Sequence, residues 1–157
     1  MRKQLYLAVI QRLKTITDTD GEPVLKHFDL WNQNVAFIEQ EAIFAMPAVF
    51  VEFTPINWKS LGGGVQTANI VFHLHIVTAT PGSAADGSAF QPDSLQLFDL
   101  LDDIHRALTG HRGQHFRQLQ RISSNTNHNH EEVIESIETF SVNVDDESGK
   151  FRGDSEQ

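Results

Sequence analysis

Cysteine is missing from all 157 residues. That excludes a disulfide framework and any thiolate nucleophile or thiolate metal site. Long apolar runs are missing too: no segment approaches the roughly 18 residues that a membrane-spanning helix needs. The opening MRKQLYLAVIQRLK is basic at both ends and has no apolar run of signal-peptide length, so a soluble, unexported chain is expected. Positive charge is scarce, with 12 Lys and Arg against 21 Asp and Glu, a net −9. The imbalance is local. Residues 131–157 hold nine acidic and two basic side chains (−7), and residues 1–130 hold twelve and ten (−2). A general nucleic-acid binder needs a basic stripe to displace phosphate counterions, and a nearly neutral body with an acidic end does not supply it. Tyrosine and tryptophan contribute only three of the aromatics, whereas phenylalanine contributes 11. The phenylalanines fall on strand-like or helical runs, where packing accounts for them.

What is present has the periodicities of one α+β domain, which this length can stabilise with a core of its own. Leu5, Val9, Leu13 and Ile16 recur at helical spacing and predict an amphipathic helix over 2–17, ended by the Gly21/Pro23 run. Residues 24–31 alternate partially and predict a first, edge-like strand; residues 32–46 predict a short helical turn and loop. Residues 47–80 are the most informative block. Val49, Val51 and Phe53 alternate with Phe50 and Glu52, and Pro47 opens the run where its missing N–H matters least. After Gly62-Gly63-Gly64, Ile70, Phe72, Leu74 and Ile76 form a wholly apolar face, and Val71, His73, His75 and Val77 form a mixed face open to water or a partner. The pattern predicts two long neighbouring strands joined by a flexible glycine hairpin.

Residues 81–92 predict a loop of small residues. Asp93 is an expected N-cap with Gln96 in the capping-box position. Leu97, Leu101, Ile104 and Leu108 form the stripe of a second helix over 93–109, widened by Phe98 and Leu100 and stopped by Gly110. Phe116, Leu119 and Ile122 predict a strand over 115–124, residues 123–130 a polar connection, and residues 132–144 the last strand. In that strand the apolar phase shifts from Val133 and Ile137 to Phe140, Val142 and Val144, which predicts a β-bulge near 138–139. The expected architecture is a mostly antiparallel sheet of four to five strands with two main helices on one face. It forms a single domain over 1–144, followed by a flexible acidic tail over 145–157.

Histidine offers the main chemical temptation. His73 and His75 share a strand face at a spacing that lets two imidazoles grip one metal ion, and His128 and His130 repeat that spacing in a polar turn. A catalytic zinc needs three protein ligands and an open position, and nothing in the sequence brings the two pairs together. The favoured reading is therefore outer-face strand residues and a polar turn, with no metal and no cofactor. Asp99, Asp102 and Asp103 share the wet face of the second helix with Arg106 and do not converge. Gly62–Gly64 is no phosphate loop, because no lysine and hydroxyl follow it and a strand comes next where a helix N-terminus is required.

The stretches HFDLWNQN (27–34), PAVFVEF (47–53), NWKSLGGGVQ (57–66), HLHIVT (73–78) and NHNHE (127–131) carry a resemblance. In these stretches and in its order of elements, the chain over 1–144 resembles the tail terminator or tail-completion proteins of tailed bacteriophages, in a prophage-encoded branch. The resemblance implies a virion part without catalytic residues: a ring, commonly of six copies, that caps the tail tube and docks to the head-side connector. The implied partners are further copies of the chain, the tail tube protein and head–tail connector proteins, with DNA passing the lumen without specific binding. The implied locations are the virion tail and, during assembly, the host cytoplasm. The hairpin residues Trp58, Lys59, Leu61, Gly62, Gly63, Gly64, Val65 and Gln66 are the expected oligomer or partner contacts. The rival readings are another head–tail connector or minor tail subunit, and a small metal-dependent enzyme using His73, His75, His128 and His130.

Overall fold

A computed structural model describes residues 1–32 and 44–151. Its elements in chain order are α1 (Arg2–Leu13), β1 (His27–Leu30), β2 (Ala48–Phe53), β3 (Lys59–Gly62), β4 (Val65–Ala79), α2 (Gln91–Leu108), β5 (Gln120–Asn127) and β6 (Val133–Asp146). Among the described residues six strands form one mixed sheet in the order β1-β2-β4-β6-β5, with β3 pairing to the outer part of β4. The fold is α+β, as expected, with more strands than the four to five expected. Among the described residues the one parallel pair is β1 with β2, and the short β1 ends the strand order. The expected turn and loop over 32–46 falls largely on residues outside the described ones.

β4 is the spine of the sheet. Its inner part pairs with β2 from Ala48↔Val77 to Phe53↔Phe72, and its outer part pairs with β3 at Lys59↔Thr67. The expected single long partner strand is thus two short ones. Pro55 lies in the gap between them, where a residue without an N–H cannot extend a ladder. The Thr54 N–H and hydroxyl both donate to the Val71 carbonyl and close the β2 ladder there. On its other side β4 pairs with β6 over fourteen unbroken positions, Gln66↔Asp146 to Ala79↔Val133.

The apolar face of β4 is buried as its alternation predicts. Ile70, Phe72, Leu74 and Ile76 pack with Leu5, Val9 and Leu13 of α1 and Leu100, Ile104 and Leu108 of α2. Phe72 stacks on Phe140 of β6. Arg12 Nε donates to the Ala107 carbonyl and ties the end of α1 to α2.

Several expectations need correction. α1 stops at Leu13; Ile16 still reaches the core, through a turn whose N–H bonds the Leu13 carbonyl. α2 begins at Gln91, two residues early, because Pro92 suits the first helical turn and needs no donor there. Asp93 therefore sits inside the first turn, and no side-chain hydrogen bond caps the helix among the described residues. Phe98 is 60% exposed, and Leu100 lies on the core stripe instead. β5 starts at Gln120, so residues 123–127 are strand rather than connection. Among the described residues β5 pairs with β6 alone, and polar side chains suit such an edge. β6 carries no bulge against β4; the register shift lies on β5, between Arg121 and Ser123. The phase change in β6 has another cause. Both faces of the sheet are covered there, and Val133 joins Ala48, Phe50 and Val77 in a second small core under Trp31, Phe44 and Met46. β6 also runs to Asp146, so the first two residues of the expected acidic tail are strand; residues 152–157 lie outside the described ones.

Candidate functional site

The hairpin named by sequence is a defined arm. Trp58 is half-buried against the main core and roots it. Beyond it Lys59, Leu61, Gly62, Gly63, Gly64 and Gln66 are exposed and Val65 is half-buried, with Leu61 57% exposed. Gly62 pairs with Val65 across a two-residue turn in which Gly63 (φ +59°) and Gly64 (φ +77°) are both left-handed. That is the backbone a two-residue hairpin favours and side chains resist. Gly64 meets a second demand: a Cβ there would overlap the Gly149 carbonyl, because residues 147–150 turn back onto the hairpin. Asp146 anchors that turn by accepting the Ser148 N–H at 2.9 Å, and this bond holds its carboxyl below the ordinary range against the opposing effect of burial.

A second constellation lies on the other face of the sheet. The β2–β4–β6 register sets Glu52 beside His73 and Phe50 beside His75, and places Val77 beside Glu135. In this frame His75 bridges two carboxylates: Nδ1 lies 2.7 Å from Glu135 Oε1, and Nε2 lies 2.7 Å from Glu52 Oε2. His75 is 4% exposed and Glu135 1%. The Trp31 ring covers the imidazole in a nearly parallel stack, with centroids 3.8 Å apart and planes at 4°. Glu135 Oε2 accepts from Asn127 Nδ2 at 2.7 Å and lies 3.4 Å from His130 Nε2. His73 turns aside and bonds the Thr139 hydroxyl through Nδ1.

The mixed face of β4 therefore does not lie open to water at His75, contrary to expectation. Covering by Trp31 and the small core makes this side chain interior, and a buried ionisable group needs partners. The two histidine sets do meet, at Glu135, although His128 stays exposed and takes no part. Both ring nitrogens of His75 are occupied by carboxylates. Among the described residues no group of three or more His, Asp or Glu side chains is arranged to hold a metal ion. Asp99 and Asp102 remain exposed, and Asp103 pairs with Arg106 on the wet side of α2.

Sequence reading missed Trp31, Glu52, Asn127 and Glu135 as members of this cluster. One signal was available: Glu135 occupies the same strand phase as Val133 and Ile137, and a carboxylate in an apolar phase calls for a buried partner. No protein-family model matches the chain, and no curated protein matches it.

Proposed function

We propose that the chain is a structural subunit of a bacteriophage or prophage tail, a tail terminator that works by assembling into a ring of about six copies, as the resemblance implies, and docking to neighbours, without making or breaking bonds. The ring caps the tail tube, meets the head-side connector and lets DNA pass, so the protein belongs to the virion tail after assembly in the host cytoplasm. The observation that carries this reading is the β3–β4 arm. Its root, Trp58, packs half-buried against the core, its turn is formed by left-handed glycines, and its outer strand presents Leu61 to solvent. An arm with an exposed leucine beside its turn suits a head-to-tail contact, in which each copy inserts its arm against the next and rotation closes the ring.

Covering the exposed part of Leu61 is worth about 1–1.5 kcal/mol at each interface, repeated at every contact around the ring. Light scattering of the purified protein, alone and with tail tubes, tests the reading. The wild-type chain is expected to form a closed oligomer, and Leu61→Asp is expected to remain monomeric while keeping its fold. A wild-type chain that stays monomeric at high concentration with tubes present would overturn the proposal. A ring that fails to stop tube growth would point to another connector or minor tail subunit.

A further inference from the structure

Charge in this chain is segregated more sharply than its total suggests. Residues 104–130 hold four arginines and no Lys, Asp or Glu, in a chain whose net charge is −9. Arg106 pairs with Asp103, and Arg121 with Glu138. Arg112 and Arg117 are exposed and form no ion pair among the described residues. Both belong to the segment between α2 and β5, which runs beside the end of β6. The Arg117 N–H donates to the Asn143 carbonyl at 2.8 Å, and the Asp145 N–H donates to the His115 carbonyl at 2.9 Å. Phe116 bridges to Val144 and is buried in the main core, so alternation turns His115 and Arg117 to the sheet face opposite α1 and α2.

There the segment and β6 enclose an open polar groove of about 610 Å³. Gln114, Gln118, Gln120 and Asn143 line it with the two arginines. The Asn143 side chain is braced by Asn69, whose Nδ2 donates to Asn143 Oδ1 at 2.9 Å. All six lining side chains carry N–H donors. Among the described residues Asp145 is the one carboxylate in the walls, and Phe116, the one Phe, Tyr or Trp, is only 7% exposed. The groove therefore offers no ring on which an unpaired base could stack. Donors from Arg, Gln and Asn without such a platform are the equipment of contact with phosphate and sugar. We propose that this groove holds the backbone of duplex DNA without reading its sequence. Arg112 and Arg117 each neutralise one phosphate, and the amides donate to neighbouring oxygens.

The basic surface that the overall charge argues against exists locally because nearby acids are already engaged. Glu138 accepts from Arg121 and Ser124, and Asp146 accepts the Ser148 N–H. Two free arginines give a weak hold in one copy, and repetition around an assembly multiplies it. A weak, sequence-blind hold suits a duplex that slides past. The choice of DNA among polyanions rests on the tail reading; the groove itself belongs to the single chain.

Fluorescence anisotropy of a labelled duplex of about 20 base pairs, titrated with the full chain at roughly 20 to 150 mM salt, tests the proposal. The log–log dependence of affinity on salt should have a slope of about −1.8 per engaged copy, from about 0.9 for each of two phosphates. Two unrelated sequences should bind equally. Arg112→Ala and Arg117→Ala should each halve the slope, however many copies engage, and the double variant should abolish binding. The glutamine replacements, which keep length and lose charge, should do the same. Asp145→Asn should tighten binding, and Arg106→Ala, outside the groove, should leave the slope unchanged. No binding at the lowest salt, a slope that survives the double variant, or a sequence preference would overturn the proposal. So would capture of poly-glutamate by these arginines without capture of the duplex, which would assign the groove to an acidic protein. Light scattering of the same samples separates the two readings: a monomer that binds the duplex would overturn the ring alone, and a ring that does not bind it would overturn the groove alone.

Discussion

Replacing Gly63 with alanine, and separately Gly64, subjects two adjacent left-handed residues to the same chemical change in different surroundings. At Gly63 (φ +59°) an added Cβ has nothing within 4 Å. The cost there is the left-handed backbone alone, about 1–2 kcal/mol for an L side chain, offset by about 0.4–1 kcal/mol because alanine also restricts the unfolded chain. The net loss is about 0.5–1 kcal/mol. At Gly64 (φ +77°) the same backbone term applies, and the Cβ also overlaps Gly149 and the Lys150 nitrogen. These are backbone atoms and cannot rotate away. The cheapest escape is for the turn over 147–150 to lift from the hairpin as a unit. It keeps its internal bonds, Ser148 N–H to Asp146 and Lys150 N–H to the Glu147 carbonyl, and forfeits only its docking. That adds about 1–2 kcal/mol, the scale of overpacking, for a total of about 1.5–3 kcal/mol. Urea unfolding should place Gly64→Ala below Gly63→Ala, and tryptic cleavage at Lys150 should quicken in Gly64→Ala only. Equal losses, or unchanged cleavage, would refute the docking of the turn.

Two further predictions concern the core and the acid limb. Phe140→Ala removes a fully buried ring stacked on Phe72 and should cost about 3–5 kcal/mol; a loss below 1 kcal/mol by urea unfolding would contradict the packing of β6 under the helices. Burial first, and then the Arg12 guanidinium, holds the His111 imidazole below its ordinary value, so the fold favours the neutral ring. Its contribution is present above about pH 6.5 and is lost as pH falls. His111→Asn should flatten the decline in urea midpoint on the acid side, and an unchanged acid limb would refute the assignment.

Local periodicity made much of the scaffold legible. Leu5, Val9 and Leu13, then Ile70, Phe72, Leu74 and Ile76 of β4, and Ile104 with Leu108 all bury the faces their spacing assigns, because each pattern extends over several turns or pleats. Gly110 (φ +77°) stands just past the end of α2, where a left-handed residue was expected. The misread elements share a cause. The start of α2 is set by Pro92 and not by an Asp93 cap, and the span of β5 is set by its pairing with β6 and not by the change from apolar to polar residues. The phase of β6 depends on what covers each sheet face, and Trp31, over a hundred residues earlier in the chain, supplies part of that cover. The polar row was out of reach for the same reason. Glu52, His75 and Glu135 lie on three strands, and only the register brings them within hydrogen-bond distance. His73 and His75 drew notice as a pair through their spacing, yet their roles diverge because one faces Thr139 and the other two carboxylates.

The fourteen-position ladder between β4 and β6 has a consequence for biogenesis. The strand at the centre of the sheet must wait, with one long edge unpaired, until residue 146 has left the ribosome. Contacts between segments so distant along the chain close slowly, and an uncovered apolar strand is vulnerable to association in the interval. Nascent chains halted near residue 120 should therefore lean on chaperones, and the finished chain should acquire its protease resistance late and all at once.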